Sequence, residues 1–210
     1  MRVAHQTDFA PFVYVKGGKS SGLIIDIINA AAARERITIV FVPVPFAQLD
    51  ATLTNGKADA ITPLAITPDR RKKFDFSSTL VLTGGGLFVR APNPTPAGLA
   101  TLSGRSIATP KTGPFVSYIR KTVPSAKLLV TSGYPNSFED VINGKADAAA
   151  LNIQVGASMV ATSYAGTVTV PKTMFTAPLP YGVAVTLKAN TRISLKSLTP
   201  GSPPSLRTEC

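Results

Sequence analysis

The hexapeptide NGKADA occurs twice in the chain, at residues 55–60 and 143–148. Leu49 and Leu53 lie on one face of an amphipathic segment before the first copy, and Phe138 lies in a similar segment before the second. Asn-Gly is typical of a helix end, because glycine takes the left-handed conformation at little cost. Each copy then runs into a short apolar strand, DAIT or DAAAL. Chance convergence on a favourable turn sequence would explain the six repeated residues alone. The helix before and the strand after each copy also match in type and order, which favours two lobes of similar build.

The first fifty residues alternate between strand and helix patterns. Residues 2–5 are typical of a strand, in which His5 is an ordinary member, and ITIVFVPVPF is a β-branched and aromatic strand ended by prolines. Between them, SGLIIDIINAAAARERI has the i, i+3, i+4, i+7 spacing of a packed helix. This alternation predicts an α/β fold with a mostly parallel sheet in each lobe. The apolar stripe of the helix is Leu23, Ile24, Ile27, Ile28, Ala31 and Ala32.

The junctions between the lobes can be located in the sequence. A triple glycine at 84–86 stands between two apolar strands, and a proline-rich stretch follows. The segment PLPYGVAVTLK would return the chain to the first lobe, so two extended crossings would form a hinge. We predict lobe 1 at 1–88, lobe 2 at 89–180, a return segment at 181–198 and an irregular or disordered tail at 199–210. An incomplete C-terminus would leave apolar surface that a dimer could cover.

Composition excludes several classes of function. The chain has 22 basic and 11 acidic residues, a net charge of +11, but the basic residues are scattered and do not alternate with aromatic residues, which argues against nucleic-acid binding. One cysteine rules out a disulfide and a Cys-ligated zinc site within the chain, and one histidine leaves little material for a multi-His metal centre or a Ser-His-Asp triad. We expect no metal, no cofactor and no catalytic residue. Neither a run of 18 apolar residues nor a signal peptide is present in the sequence.

Ligands in open α/β sheets bind beyond the carboxyl ends of the strands. The segments directly after the two repeat strands are therefore the candidate ligand loops. They are residues 62–70 in the first lobe and residues 151–154 in the second.

Four stretches resemble the extracellular solute-binding proteins of family 3, the two-lobed periplasmic receptors of bacterial amino-acid ABC transporters. They are FAPFVYVKGGKSSGLIIDIINA, FVPVPFAQLDATLTNGKADAI, AITPDRRKKFDFSSTLVLTGGGLFV, and LSGRSIATPKTG through GKADAAALN to PYGVAV. The resemblance covers residues 2–190, and ITPDRRKKFDFS is its most specific block. It implies a periplasmic-binding-protein-like fold of type II, with two α/β lobes, a two-strand hinge and a ligand held between the lobes.

The resemblance also implies ligand residues in the first lobe. Arg70 would hold a ligand carboxylate, with Thr67 of the same TPDR motif beside it, and a guanidinium pairs bidentately with a carboxylate. Phe9 and Phe46 would enclose the ligand side chain, Phe9 from a loop in which it would otherwise be exposed. Phe12 is interpreted as a core residue. The neighbours of Arg70 in RRKK, namely Arg71, Lys72 and Lys73, are interpreted as a solvated surface cluster.

In the second lobe, the start of a helix near PKTGPF would meet the carboxylate with backbone N–H groups. Thr112 and Gly113 match the polar residue and glycine of the family there. Pro114 replaces a residue that usually supplies a donor, so the anion contact should be weaker or shifted.

Four positions depart from the pattern of amino-acid binders in that family. Asn152 and Gln6 stand where aspartates are common, Ala65 stands where a threonine or serine is usual, and Pro63 precedes it. A buried ammonium without a negative partner would cost several kcal/mol. Asn152 and Gln6 would still offer neutral acceptors. Either the ligand keeps its carboxylate and lacks a free α-ammonium, or Asp8 supplies the missing charge.

The function implied by the resemblance is that of a periplasmic receptor. It would capture an amino acid or similar carboxylate and deliver it to the membrane permease of an ABC transporter, after export with a signal that this sequence lacks. Two alternatives stay open: a lyase of the cyclohexadienyl dehydratase type, and the ligand-sensing lobe of a signalling receptor. Asp8 and Lys111 are the titratable candidates for a lyase, which is a thin supply for acid–base catalysis.

Overall fold

A computed structural model describes residues 1–187 of the chain. The described residues form two compact units. Unit 1 contains residues 1–82 and the described residues from Pro180 onward, and unit 2 contains Thr83–Leu179. The predicted tail at 199–210 lies outside the described residues, as does the return segment beyond residue 187.

Unit 1 is built on a six-stranded sheet with the order β5-β1-β6-β14-β7, and β8 also pairs with β14. A separate three-stranded sheet, β2-β3-β4, follows the first strand. The strands are β1 (Arg2–Gln6), β2 (Asp8–Phe9), β3 (Val13–Lys16), β4 (Lys19–Ser21), β5 (Val40–Val44), β6 (Ala60–Ala65), β7 (Phe74–Phe76), β8 (Val81–Thr83) and β14 (Leu179–Thr186). The α-helices are α1 (Leu23–Arg34), α2 (Leu49–Thr54) and α3 (Pro68–Arg71), and a 3₁₀ turn, Phe46–Gln48, leads into α2.

Unit 2 is built on a five-stranded sheet with the order β11-β10-β12-β9-β13. The strands are β9 (Gly85–Arg90), β10 (Ser106–Pro110), β11 (Lys127–Thr131), β12 (Ala148–Asn152) and β13 (Val168–Thr169). The α-helices are α4 (Phe115–Thr122), α5 (Tyr134–Ile142) and α6 (Ile153–Met159). A 3₁₀ turn, Leu99–Leu102, precedes β10, and a π-helical turn, Val160–Tyr164, extends α6.

The two sheets repeat one arrangement of four strands. In unit 1, β1 pairs in parallel with β5 and β6, and β14 lies antiparallel beside β6. In unit 2, β10 pairs in parallel with β11 and β12, and β9 lies antiparallel beside β12. The register agrees as well, since Val3 pairs with Ala60 and Ile107 pairs with Ala148. Each sheet is therefore mixed: parallel over three strands, as the α/β pattern predicted, and antiparallel beyond them.

Both copies of NGKADA end a helix and begin a strand, as the sequence predicted. Gly56 and Gly144 have φ values of 68° and 72°, in the left-handed region that favours glycine. The next residues close each helix in the same way: the N–H of Ala58 donates to the Thr52 carbonyl at 3.1 Å, and the N–H of Ala146 donates to the Asp140 carbonyl at 3.0 Å. The apolar segments before each copy are the helices α2 and α5.

The aspartate of each repeat fastens its strand to the neighbouring parallel strand. The Asp59 carboxylate accepts hydrogen bonds from the Arg2 backbone N–H at 2.7 Å and from Arg2 Nη2 at 2.8 Å. The Asp147 carboxylate accepts from the backbone N–H and the hydroxyl of Ser106, both at 2.7 Å, and from Arg105 Nη1 at 3.2 Å. These contacts set the start of β6 against β1 and the start of β12 against β10.

The helices pack their apolar faces on the sheets. Leu49 and Leu53 of α2 are buried against the sheet of unit 1, and Phe138 and Val141 of α5 are buried against that of unit 2, as predicted. The predicted stripe of α1 is shifted by one residue at its start. Its first residue, Leu23, is 49% exposed, whereas Ile25 is buried in its place.

Candidate functional site

Parallel strands place their carboxyl ends at one edge of each sheet, and the candidate ligand residues of each unit lie at that edge. In unit 1 the edge follows β1 and β6, and in unit 2 it follows β10 and β12. Within residues 1–187, no group of three His, Cys, Asp or Glu side chains is arranged to hold a metal ion. None of the helices described there is long and apolar enough to cross a membrane.

Arg70 lies in the short helix α3 that follows β6. Thr67 caps this helix, because its hydroxyl accepts the backbone N–H of Arg70 at 3.3 Å. The side chain folds back toward the strand, and Nη1 donates to the Ala65 carbonyl at 3.2 Å. Burial lowers the pKa of the Arg70 guanidinium from its ordinary value, and attraction to Tyr181 and Asp50 opposes that shift. Arg70 is half-buried, so its guanidinium has a fixed direction and reduced hydration, and both favour pairing with an anion.

Tyr181 lies in β14, beside the residue whose carbonyl accepts the Arg70 hydrogen bond. It pairs with Ala65 across the antiparallel strands β14 and β6 and is buried. Its ring lies 6.0 Å from that of Phe9, and Phe9 lies 5.7 Å from Phe12. Three aromatic rings therefore line up beside the strand end from which the Arg70 helix starts.

Phe9 is held more firmly than the sequence predicted. It lies in strand β2 rather than in a loop, pairs with Val13 and is only 6% exposed. The loop argument for Phe9 was therefore wrong, because the stack with Phe12 and Tyr181 already buries its ring. Phe12 is a core residue, as predicted.

Gln6 and Phe46 lie at the ends of neighbouring parallel strands. Gln6 ends β1 and pairs with Val44 at the end of β5, two residues before Phe46. Phe46 is half-buried and packs on the apolar cluster that contains Leu49. Gln6 is 5% exposed, so most of its side chain is buried at the end of β1. A side-chain amide at this edge can offer a donor and an acceptor to a polar group of a ligand.

His5 stands directly before Gln6 and is fully buried. Nδ1 donates to the Gln6 carbonyl at 2.8 Å, so Nε2 accepts the Ser20 hydroxyl at 2.6 Å. Burial lowers the pKa of the imidazole, and the bond to the Gln6 carbonyl opposes that shift. His5 is therefore a neutral strand residue that ties the end of β1 to β4, in agreement with its interpretation from sequence.

The other predicted positions of unit 1 divide into buried and exposed residues. Ala65 and Pro63 are buried within β6, so Ala65 offers its carbonyl, to Arg70, and no polar side chain. Asp8, in β2, is an exposed residue. Partial desolvation raises the pKa of its carboxyl group, and a hydrogen bond from its own backbone N–H opposes that shift. Arg71, Lys72 and Lys73 are exposed, as predicted, with Arg71 stacked 5.8 Å from the Phe76 ring.

In unit 2, the predicted helix near PKTGPF is present as α4, which begins at Phe115. Thr112 and Gly113 are half-buried in the turn before it, where the Gly113 N–H donates to the Pro110 carbonyl at 3.2 Å. Pro114 occupies the cap position and has no side chain that could cap the helix. The turn thus takes the predicted place at the carboxyl end of β10.

Asn152 ends β12 and caps α6. Its Oδ1 accepts the backbone N–H groups of Gln154 and Val155, each at 3.1 Å, and its Nδ2 donates to Thr83 Oγ1 at 3.0 Å. The Thr83 hydroxyl in turn donates to Gln154 Oε1. We call the side chains of Asn152, Thr83 and Gln154 the Asn152 network. Asn152 and Thr83 are each 1% exposed, and Gln154 is exposed.

The carbonyl oxygen of Asn152 cannot serve a ligand in this arrangement. A carboxamide oxygen has two lone pairs, and two backbone N–H groups occupy both. The expectation that Asn152 offers a neutral acceptor was therefore wrong. What it retains is a second N–H on Nδ2.

The sequence pattern of the bacterial extracellular solute-binding proteins, family 3, matches residues 1–172. The chain belongs to this family. The match spans the carboxyl edges of both sheets and both repeats, and the family consists of binding proteins. The α/β fold with two lobes follows with it.

Sequence relatives of the chain are distant and longer. PatH of Vibrio harveyi, by name an amino-acid ABC transporter-binding protein, is 26% identical over 149 residues, which are 70% of this chain and 60% of PatH. The glutamine-binding protein of Geobacillus stearothermophilus is 28% identical over 135 residues, 62% of this chain and 52% of that protein. The chain thus spans between about half and three fifths of these relatives.

Solved structures share the fold at low identity. Holo ArgBP from T. maritima superposes with a TM-score of 0.77 at 24% identity, covering 89% of this chain and 82% of that one. The periplasmic VFT2 domain of BvgS from Bordetella pertussis, as a double mutant, gives a TM-score of 0.79 at 22% identity, covering 88% and 79%. These likenesses confirm the two-lobed Venus-flytrap fold.

Three residues at the sheet edges were missed by the sequence analysis. Tyr181 was quoted only as part of a return strand, and a lone tyrosine between Pro180 and Gly182 was the available signal. Thr83 and Gln154 carry no signal of their own, because their contact joins residues far apart in sequence.

Proposed function

We propose that this protein is the ligand-binding component of an ABC transporter in the periplasm, and that it binds an amino acid or a similar small carboxylate. The single observation that carries the proposal is the placement of Arg70. Its guanidinium lies after the carboxyl end of β6 and is held by the Ala65 carbonyl, and the residue is half-buried. A planar fork with a fixed direction suits a carboxylate, which accepts two parallel N–H bonds.

Further support comes from other residues of unit 1. Phe9 and Tyr181 provide an apolar wall, and the Gln6 amide at the end of β1 offers a neutral polar contact. In unit 2, the turn at Thr112 and Gly113 precedes a helix whose first N–H groups have no side-chain cap. The membrane permease of the transporter would be the protein partner.

The test is a calorimetric titration of a panel of amino acids, opines and organic acids, preceded by a thermal-shift screen. At 100 times the dissociation constant, a ligand stabilises the folded chain by about 2.7 kcal/mol, which moves Tm by several degrees. Arg70→Lys keeps the charge and removes the fork, so we expect binding to weaken at least tenfold. Arg71→Lys, one residue away on the surface, is the matched control and should bind as the wild type does. Failure of every carboxylate to bind would overturn the proposal, and so would an Arg70→Lys variant of unchanged affinity.

A second candidate, a ligand-sensing domain of a signalling receptor, is favoured by the fold likeness to sensors. Besides BvgS, a histidine kinase sensor domain superposes with a TM-score of 0.82 at 21% identity. Uptake of the ligand by cells with and without the gene separates the two candidates. A transport receptor predicts that uptake falls on deletion, whereas a sensor predicts unchanged uptake and a lost transcriptional response.

A further inference from the structure

The Asn152 network has a fixed polarity. Backbone N–H groups of Gln154 and Val155 orient the Asn152 amide, because only its oxygen can accept from both. Nδ2 must then donate to Thr83 Oγ1, and the Thr83 hydroxyl in turn donates a hydrogen bond to Gln154 Oε1. The orientation of the Asn152 amide thus decides the direction of the other two hydrogen bonds. The direction of the network is therefore set by the start of α6.

In the Asn152 network the side-chain oxygens are occupied by hydrogen bonds within unit 2, whereas several side-chain N–H groups are not. The Asn152 and Gln154 side-chain oxygens both accept hydrogen bonds within unit 2. One N–H of Asn152 Nδ2 and both N–H groups of Gln154 Nε2 have no acceptor within residues 1–187, and Gln154 is exposed. Asn152 itself is 1% exposed, so a buried donor at the end of β12 is left for a group that arrives from outside the chain.

The same edge of unit 2 has no carboxylate. All of residues 83–179 are described, and their acidic side chains are Glu139, Asp140 and Asp147. Glu139 and Asp140 lie in the last turn of α5, and Asp147 precedes the first residue of β12, so all three lie at the amino ends of the parallel strands. At the carboxyl ends the charged residue is Lys111, which is exposed directly after β10.

Donors without carboxylates favour one kind of ligand group and oppose another. An ammonium group at this edge would lose hydration without gaining a negative partner, and it would face N–H groups that it cannot pair with. A hydroxyl or keto oxygen would accept a hydrogen bond from the second N–H of Asn152 Nδ2 and so give that N–H an acceptor. We infer that the group which binds at this edge of unit 2 is an uncharged acceptor of the ligand, such as a hydroxyl or keto oxygen, and that the ligand carries no free ammonium. This inference rests on the proposed function, since it takes the ligand to be the small carboxylate proposed there.

The experiment compares ligands that differ in one group. Each set contains an amino acid, the 2-hydroxy acid and the 2-oxo acid with the same side chain, such as alanine, lactate and pyruvate or glutamate, 2-hydroxyglutarate and 2-oxoglutarate. Calorimetry on the wild-type chain should give at least tenfold tighter binding of the hydroxy or oxo acid in the set that fits. The wild-type order alone decides the matter, so the test does not depend on any variant folding.

Asn152→Asp is the variant that reverses the polarity. One carboxylate oxygen can keep both backbone hydrogen bonds of the cap, and the other can accept from a rotated Thr83 hydroxyl, so we expect the variant to fold. It should prefer the amino acid of the same set. Asn93→Asp adds the same charge to an exposed loop of unit 2 and should keep the wild-type order.

Three outcomes separate this inference from the proposed function. An amino acid that binds most tightly to the wild type overturns the inference and leaves the proposed function in place. If that binding is then lost in Asp8→Asn, the negative partner is Asp8 of unit 1. If no member of any set binds, the proposed function itself fails and the inference fails with it.

Discussion

Asn152 Nδ2 donates to Thr83 Oγ1 at 3.0 Å, although 69 positions separate the two residues in the sequence. Both side chains are buried, and the bond ties the end of β12 to the first residue of unit 2. Thr83 is also the branch point of the network, because it accepts from Asn152 and donates to Gln154. The contact therefore holds together the carboxyl edge of unit 2.

Thr83→Val removes this hydroxyl and keeps the shape of the side chain. It leaves the Asn152 N–H without its partner in a buried place, so we expect a loss of about 1–3 kcal/mol in the free energy of unfolding. Urea denaturation followed by circular dichroism measures it. Thr173→Val is the matched control, since Thr173 is exposed, and it should change stability by less than about 0.5 kcal/mol. Equal stability of both variants would show that the bond contributes nothing.

The repeat aspartates should make stability depend on acid. Hydrogen bonds from the Arg2 side chain and backbone lower the pKa of Asp59, and those from the Ser106 backbone and hydroxyl lower the pKa of Asp147. Each folded pKa lies below the unfolded value of about 3.9, so the contribution is complete above pH 4 and is lost as the pH falls through the folded value. The Asp59→Asn, Asp147→Asn double variant should be less stable at pH 7 and should lose less between pH 4 and pH 2.

The control for that experiment is Asp69→Asn, which removes one charge from the exposed pair of Asp69 with Lys72. Urea midpoints at pH 7, 4, 3 and 2 should follow the wild type. A double variant whose midpoint falls with acid as steeply as that of the wild type would contradict the assignment of this acid dependence to Asp59 and Asp147.

His5 should add a second pH window. Its folded pKa is lowered by burial, so as the pH falls below about 6.5 the unfolded chain takes up a proton before the folded chain does. Its stabilising contribution is therefore present above pH 6.5 and is lost as the pH falls toward the folded pKa. Because the chain has one histidine, a single imidazole resonance in an NMR titration reports the folded pKa directly. We expect it below 6.5, and His5→Gln should flatten the stability profile from pH 7 to pH 5. A resonance that titrates above 6.5 would contradict the buried, neutral state.

Much of the fold could be predicted because local chemistry specifies it. Asn-Gly ends α2 and α5 through the left-handed conformation of Gly56 and Gly144, and that preference needs no tertiary contact. The apolar spacing of α1 indicated a packed helix, although the spacing alone could not show that Leu23 would be the exposed residue. The position of Arg70 after β6 could also be predicted from local sequence, because the Arg70 segment directly follows the strand that begins in the first NGKADA copy.

The parts that could not be predicted depend on pairings between distant residues. Phe9 seemed exposed because its partner Tyr181 stands at the other end of the described chain. Asn152 seemed free to accept a hydrogen bond because a sequence does not show that its oxygen caps α6. Any asparagine before a helix can be a cap or a ligand residue, and only the start of the helix decides between them.

The last prediction concerns Gly156, whose requirement is also tertiary. Gly156 is buried in α6, where a Cβ atom would overlap the ring of Phe88 in β9. Phe88 packs edge-on against Phe138 at 5.5 Å and has no exposed surface, so its ring has little room to withdraw. Gly156→Ala should therefore lower the free energy of unfolding by about 1–3 kcal/mol, even though alanine is the better helix former. Gly98→Ala meets no atom within 4 Å and is the control, expected to be neutral or slightly stabilising in the same urea titration. A stabilised Gly156→Ala would mean that α6 can move away from β9, and the Asn152 cap would then have to move with it.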